Sequence, residues 1–393
     1  MATPRSQHHP KLEHQKSEHL LDRLRKERSS LYEDLTAAYG SNQHGTYTAD
    51  KVTGKEFLTD YEPMKLSSLR VFFLARGTIM KNPTLFTEQL LITLIFLACA
   101  TPVYVYFKEE THNDVSLSRF IRQQEGKMRA FAEIMQFLTA FMLSFYTAIT
   151  VGRWWTMRAQ GIGGLKAAVV DLHMLLQQCV DPSEQMLEAV RRYGRASLLL
   201  IFLWRKKELD RMKQIMGPER YNILTDEECD LLEKAHCRHE TIWAWQVALV
   251  TKLKEAGKVK SDQLFIMLLK KCTEGRAAVQ CIHTHLAVKI PMQYVHLLGL
   301  LVKMHNLVLS IIMGLLFGAA LRNGYTILCV QLFARLLILP FLFNAILLIN
   351  CDLGDPFNGE EADFPGELYQ AALGADCVGL SSAAKNALPL RGP

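Results

Sequence analysis

Charge is nearly absent from two long parts of this 393-residue sequence, although charged residues make up 21% of the whole chain. Residues 89–107 carry no charged side chain, and residues 325–349 carry only Arg335. Hydrophobic residues amount to 49%, which is too many for a disordered protein. This uneven distribution predicts a membrane protein with large aqueous parts, and it argues against a fibrous or collagen-like chain.

Motifs for disulfides and for zinc are also missing. The nine cysteines are odd in number and scattered, and no Cys-x-x-Cys pair occurs. We therefore expect reduced thiols rather than a secreted disulfide framework. Cys229, His236, Cys237 and His239 lie close together in the chain, but their spacing matches no standard zinc pattern. No zinc site is expected there.

The chain has little net charge, at +6, so nucleic acid is not expected as a partner. The first 30 residues lack the apolar run of a signal peptide and contain acids, which transit peptides avoid. We interpret residues 1–60 as a polar N-terminal tail and favour the plasma membrane, with the thylakoid membrane as the alternative. Residues 366–393 are rich in small side chains, and we expect a disordered C-terminal tail.

Four apolar segments are long enough to cross a lipid bilayer. The first, a run of 19 residues, would span roughly 28 Å as a helix, close to the hydrocarbon thickness. The third and fourth contain polar residues such as Lys303 and Asn344, which at membrane depth must face protein or water. The predicted spans are about residues 89–107, 130–151, 290–321 and 324–351.

Basic and aromatic residues at the ends of these segments predict the orientation. Arg153 directly follows the second span and Lys289 precedes the third. Cytosolic termini and a cytosolic middle section satisfy this arrangement. Trp154 and Trp155 suit the same boundary, as an aromatic belt at the membrane interface.

The middle section, residues 156–288, has apolar residues at i, i+3 and i+4, which predicts cytosolic helices. Thr225 and Glu228 have the spacing of a capping box and predict a helix start. Residues 161–164, GIGG, lack the third glycine of a dinucleotide site and are interpreted as a flexible joint. The predicted fold is therefore an all-α integral membrane protein with four transmembrane helices and a large cytosolic helical region.

Three phenylalanines form a stripe on the second span. Phe137, Phe141 and Phe145 follow one another at four-residue steps, so the stripe drifts by only about 40° per step. Such a stripe is often ordinary helix packing. Around a shared axis, however, several copies would form a narrow dry neck that gates by dewetting. The positive edges of the rings would favour anions over cations.

An acidic loop follows the fourth span. It reads DPFNGEEADF from Asp355 to Phe364. Carboxylate and carbonyl oxygens at this density suit Ca²⁺, which takes six to eight oxygen ligands, although the order of acids is not that of an EF-hand. A solvated acidic loop without a metal is the alternative.

Together these features resemble the bestrophins, pentameric anion channels that Ca²⁺ opens in their animal members. The order and spacing of the shared stretches also agree, over about residues 61–365. The stretches are LARGTIMK at 74–81, FLTAFMLSFYTAITVGRWW at 137–155, IPMQYVHLL at 290–298 and DPFNGEEADF at 355–364.

The resemblance implies a homopentamer in the lipid bilayer that conducts small anions, chloride and bicarbonate, through one central pore. Phe137, Phe141 and Phe145 fall at the neck, where the first position is commonly Ile. The cytosolic aperture should lie near Leu200–Trp204.

The resemblance also implies a Ca²⁺ clasp in the acidic loop. Backbone carbonyls of Asp355 and Gly359 would contribute, with the side chains of Glu360 and Asp363 and a further carbonyl near Tyr61. This chain departs from the family pattern in the loop. Glu360 replaces an Asp, Gly359 replaces a Glu, and Ala362 replaces another acid.

Glu133 lies one helical turn before Phe137 on the same face of the second span. Five copies would place an acidic ring just outside the neck, which opposes the recruitment of anions. We hypothesise that Glu133 lowers anion conductance or is neutralised by a basic neighbour such as Arg129.

Two other classes of function remain open. A membrane-anchored helical scaffold would need no transport, and a membrane metalloenzyme would need clustered ligands such as HExxH, which the sequence lacks. An anion channel needs no nucleophile, acid or base. We therefore expect a protein that is not an enzyme.

Overall fold

The computed structural model describes residues 40–42, 45–49, 56–61, 78–106, 115–180, 182–360 and 363–385, which are predominantly helical. Three short strands come first and pair antiparallel in the order β1-β2-β3. They are β1 Gly40–Asn42, β2 Gly45–Ala49 and β3 Glu56–Tyr61. The helical class is confirmed, and the strands are an addition that the sequence analysis did not predict. Residues 1–39 of the predicted tail lie outside the described residues.

Eleven α-helices follow within the described residues. They are α1 Pro83–Tyr106, α2 Val115–Thr156, α3 Gly164–Cys179, α4 Glu184–Arg205, α5 Met212–Met216, α6 Asp226–Lys234, α7 Arg238–Glu255, α8 Asp262–Ala287, α9 Met292–Arg322, α10 Thr326–Leu353 and α11 Gly366–Lys385. Short 3₁₀ turns lie at Ile79–Lys81 and Leu209–Arg211, and a π-helical segment, Met157–Gly163, joins α2 to α3.

The chain divides into two compact units. The membrane unit, residues 64–155 and 285–355, contains α1, α9, α10 and nearly all of α2. Each of these four helices is long and apolar enough to cross a membrane, because an uninterrupted helix satisfies its own backbone hydrogen bonds in lipid. The predicted number of four membrane-spanning helices agrees with the structure.

Close packing of α9 on α1 organises the membrane unit. A side chain at Gly314 or Gly318 would collide with the backbone carbonyls of Phe96 or Ala100 on α1. The two glycines form a G-x-x-x-G pair on one face of α9, the spacing that lets membrane helices approach closely. Phe96, fully buried, then packs its ring 5.0 Å from that of Phe317.

The extramembrane unit contains residues 156–284 and the segment from Pro356 onward. Its core forms around α4, whose apolar face is buried against α5, α6 and α7. Trp243 of α7 is buried and donates through Nε1 to Oγ of Ser197, 3.0 Å away. Helix α6 begins at the predicted capping box, since the Thr225 and Glu228 side chains each accept from the other's backbone N–H.

The GIGG segment is not the flexible joint that the sequence analysis expected. Gly161 lies in the π-helical segment and Gly164 begins α3, so the chain continues as helix through both. A side chain at Gly161 would collide with Ile282 of α8, and one at Gly164 would press on Ala278. These glycines therefore serve close helix packing rather than backbone freedom.

The expectation of a disordered C-terminal tail is wrong for residues 366–385. This segment forms α11, whose Leu373 and Cys377 are fully buried. Small residues here allow close contact with α3 and α4, and Ser381 Oγ lies 2.9 Å from Nε2 of His173. Residues 386–393 lie outside the described residues.

Candidate functional site

The three phenylalanines of the stripe lie on the side of α2 that faces away from its own protomer. Phe137, Phe141 and Phe145 are 72%, 51% and 53% exposed. Their ring centroids are 6.3 Å and 4.9 Å apart in succession. The opposite side of α2 is buried, because Leu143 and Tyr146 pack against α9 and α10. The stripe therefore takes no part in the described core of the membrane unit and is open on the surface of α2.

Glu133 is exposed one turn before Phe137. It forms no ion pair with any residue whose side chain the structure describes, and neither does Arg129. The pairing with Arg129 that the sequence suggested is not formed within the described protomer. The carboxylate stands alone on the face that carries the stripe.

Arg153 has a structural role at the end of α2. Its guanidinium donates to the backbone carbonyls of His285 and Val288, the second at 2.6 Å. These carbonyls lie at the end of α8 and just after it, where the chain returns to the membrane unit. The adjacent rings of Trp154 and Trp155 lie 6.2 Å apart. Arg153 thus ties two segments together, beyond the interfacial role that the sequence predicted.

Several polar groups inside the membrane unit find protein partners, whereas both ring nitrogens of the buried His305 have no hydrogen-bond partner among the described residues. Lys303 of α9 pairs with Glu88 of α1 and lies 3.1 Å from Oδ1 of Asn344 on α10. Asn306 donates to the same Oδ1, also at 3.1 Å. Arg335 donates to Gln136 Oε1 at 3.2 Å. Hydrogen bonds thereby link all four membrane helices.

The acidic loop is held by Asp363. Its Oδ2, on a residue only 4% exposed, accepts from the backbone N–H groups of Gly359 at 2.7 Å and Glu360 at 3.0 Å. Gly359 has φ +94°, a conformation that favours glycine. The Glu that the family pattern places there would be strained, so this departure follows from the local backbone.

Aromatic rings and a lysine dock the loop on α4. Phe357 lies 5.0 Å from the ring of Phe202 and 5.2 Å from that of Phe364. The aliphatic stem of Lys206, at the end of α4, crosses the open face of Gly359. The loop is thus anchored by apolar contacts and lies beside a positive charge, which the sequence analysis did not detect.

The other proposed Ca²⁺ ligands are distributed over both units. Glu360 is exposed, Asp355 ends the membrane unit, and Tyr61 ends β3. Residues 361 and 362 lie outside the described residues. Within the described residues, no three His, Cys, Asp or Glu side chains come close enough to hold a metal.

The segment expected near the cytosolic aperture is mostly buried. Leu200, Ile201, Phe202 and Leu203 are all at most 4% exposed, inside the extramembrane unit. Leu200 and Leu203 belong to the core around α4, so of the expected segment only Trp204 has an accessible side chain.

Trp204 instead begins a stack of rings. Its indole lies 4.4 Å from the imidazole of His283, which lies 4.1 Å from that of His239. Burial, and then the neighbouring His239, lower the pKa of His283 to about 4. Burial also lowers the pKa of His239. The candidate zinc residues separate here, since Cys229 is buried in the α4 core while His239 joins the stack.

Comparison with known proteins identifies the family. The family model described as "Bestrophin, RFP-TM, chloride channel" matches residues 59–368. No curated protein matches the sequence significantly. A bacterial bestrophin homolog from Klebsiella pneumoniae has a similar fold, with TM-score 0.60, 15% identity, and coverage of 76% of this chain and 98% of that chain. A variant of that homolog gives TM-score 0.59 at 15% identity, covering 75% and 98%. The resemblance seen in the sequence is confirmed: this integral membrane chain belongs to the bestrophin family.

Proposed function

We propose that the protein is a subunit of a homopentameric channel for chloride and bicarbonate, with its neck at Phe137, Phe141 and Phe145. The observation that carries the proposal is the exposed aromatic stripe on α2, on the side opposite the packed face of the helix. The description of the family as chloride channels supports the same conclusion. The plasma membrane is the proposed location. Fluorescence microscopy of a fusion protein distinguishes it from the thylakoid membrane.

In this proposal the width of the neck controls whether water and ions pass, and the charge distribution of the phenylalanine rings selects anions. A constriction lined by phenylalanine excludes water when narrow, so small movements of α2 open or close the path. The positive ring edges then partly replace the hydration of a passing anion. Conduction needs no bond to be made or broken, so no residue acts as a catalyst.

The proposal extends to Ca²⁺ at the acidic loop. Asp363 orders the turn through two amide hydrogen bonds, and Glu360 keeps an exposed carboxylate with no partner among the described side chains. Carbonyls of Asp355, Gly359 and Tyr61 would complete an oxygen-rich set of the kind that Ca²⁺ binds. The ion would stabilise the loop, which is anchored on α4.

Chloride flux from liposomes tests the channel. We expect purified protein to release trapped chloride, and Phe141→Ala to change the rate or the anion selectivity by at least severalfold. Phe86→Ala is the matched control, because Phe86 is equally exposed, at 52%, but lies on α1. Absence of flux with and without Ca²⁺, or equal effects of both substitutions, would overturn the proposal and favour a membrane-anchored scaffold.

A further inference from the structure

A groove runs along the membrane unit between α2 and α9. The groove is open to its surroundings and has a volume of about 360 Å³. The residues that line it are Lys127, Met128, Phe131, Val308, Ile311 and Ile312. All are apolar except Lys127.

Lys127 lies where α2 enters the apolar part of its span. The charged residues Lys127 and Arg129 come just before the apolar run 130–151, and 28 residues of helix, roughly 42 Å, separate Lys127 from Trp155 at the other boundary. The Lys127 side chain is exposed and forms no ion pair with a side chain that the structure describes. A lysine in this position lays its stem along apolar surface and directs its ammonium toward the lipid headgroups.

The side chains that line the groove are larger than those usual at a helix–helix interface in a membrane. Such interfaces use small residues that allow close contact, because lipid tails are as apolar as leucine and offer no hydrophobic gain on association. The α1–α9 contact at Gly314 and Gly318 follows this rule. The groove is instead walled by bulky side chains, Phe131 and Ile311 among them, and it suits a flexible hydrocarbon chain.

We propose that this groove is a phospholipid site, in which one acyl chain lies between α2 and α9 and the phosphate pairs with Lys127. The apolar walls account for the chain, and Lys127, the cation that lines the groove, accounts for the phosphate. The bound lipid supports α2, the helix that carries Phe137 and its neighbours, from the side.

Native mass spectrometry of the full-length protein tests the site. The protein is exchanged into nanodiscs of phosphatidylglycerol, of phosphatidylcholine or of an uncharged galactolipid, and lipid retained after detergent extraction is counted. We expect retention of both phospholipids to exceed that of the galactolipid about fivefold, because the galactolipid lacks the phosphate that pairs with Lys127. Lys127→Gln should reduce retention about fivefold, since a direct, partly exposed ion pair contributes up to about 1 kcal/mol, and Lys127→Arg should restore it.

Two further variants separate the groove from general membrane electrostatics. Ile311→Trp fills the groove and should abolish retention, whereas Arg129→Gln removes a nearby exposed charge outside it and should change nothing. Retention that is unaffected by Ile311→Trp would overturn the proposal. So would efficient disulfide cross-linking of Ile311→Cys between copies of the chain, because a neighbouring protomer would then occupy the groove. These readouts are independent of anion flux.

Discussion

The ammonium of Lys303 lies 3.1 Å from Oδ1 of Asn344, and the same oxygen accepts from Nδ2 of Asn306 at 3.1 Å. One buried amide oxygen thereby satisfies two donors on α9 from its position on α10. Glu88 of α1 completes the arrangement through its ion pair with Lys303. The cluster joins three membrane helices where lipid could not satisfy the same groups.

Replacement of Asn344 by leucine should therefore destabilise the membrane unit. The buried Nδ2 of Asn306 loses its acceptor, and a buried donor left unpaired costs roughly 1–3 kcal/mol. Lys303 keeps its ion pair with Glu88. Thermal unfolding in detergent measures the effect. Asn323→Leu, near the surface after α9, is the control and should change stability by less than about 0.5 kcal/mol. If the two variants unfold at the same temperature, the cluster does not stabilise the bundle.

Neutralisation of Glu133 should increase anion current. In the proposed pentamer, five unpaired carboxylates beside the neck would repel anions, and Glu133→Gln removes that repulsion. Single-channel conductance of reconstituted protein is the measurement, and it should rise most at low ionic strength, where screening is weakest. Glu133→Asp keeps the charge and serves as the control. An unchanged current–voltage relation for Glu133→Gln would refute the role of this residue.

Removal of the lysine beside the acidic loop should strengthen Ca²⁺ binding. The Lys206 stem crosses Gly359, so its charge lies near the proposed ligands and opposes a cation. Lys206→Met should lower the dissociation constant severalfold, on the order of 1 kcal/mol for a partly exposed charge. Calorimetric titration compares it with Lys207→Met, the exposed neighbour. Equal affinities in both variants would contradict the effect, and no binding in either would remove Ca²⁺ from the proposed function.

Stability should fall as the pH drops from about 6.5 toward 4. The pKa of His283 is lowered to about 4 by burial and by His239, while the unfolded chain retains a value near 6.5. Between pH 6.5 and 4 the imidazole of His283 binds a proton in the unfolded state but stays neutral in the folded state. The stabilisation that is present above pH 6.5 is therefore lost as the pH falls through this range. Partial exposure limits the loss to roughly 1–2 kcal/mol.

His283→Phe keeps a ring in the stack and should reduce the slope of stability against pH. Chemical unfolding at pH 7, 6, 5 and 4 gives that slope. Part of the slope should remain, because burial also lowers the pKa of His173 to about 4. If His283→Phe and the unsubstituted protein have the same slope, His283 is protonated as easily in the folded state as in the unfolded state, and the prediction is wrong.

Local sequence signals predicted much of the fold. The four spans were visible because helices in lipid need about 20 residues with little charge, which is a property of a continuous stretch. The capping box at Thr225 was equally visible, since both partners lie within one turn. The helix α11 was missed because its small residues bury well only where other helices approach closely.

The candidate site divides in the same way. Phe137, Phe141 and Phe145 share a face of one helix, so their periodicity alone predicts the stripe. The contact of Lys206 with Gly359 and the stack of His239 on His283 join separate elements, and no local pattern marks them. The G-x-x-x-G spacing that begins at Gly314 marks a face of α9 for close helix packing. It does not indicate that α1 is the helix that packs there.

The sequence by itself determined that this chain spans a membrane with four helices and belongs to the bestrophin family, since both follow from hydropathy and motifs that lie along the chain. Tertiary structure alone decided which charges are paired. Glu88 and Lys303 meet across 215 residues of sequence, while Glu133 keeps an unpaired carboxylate within the described protomer. Electrostatic pairing depends on distance in space, and only folding brings such residues together.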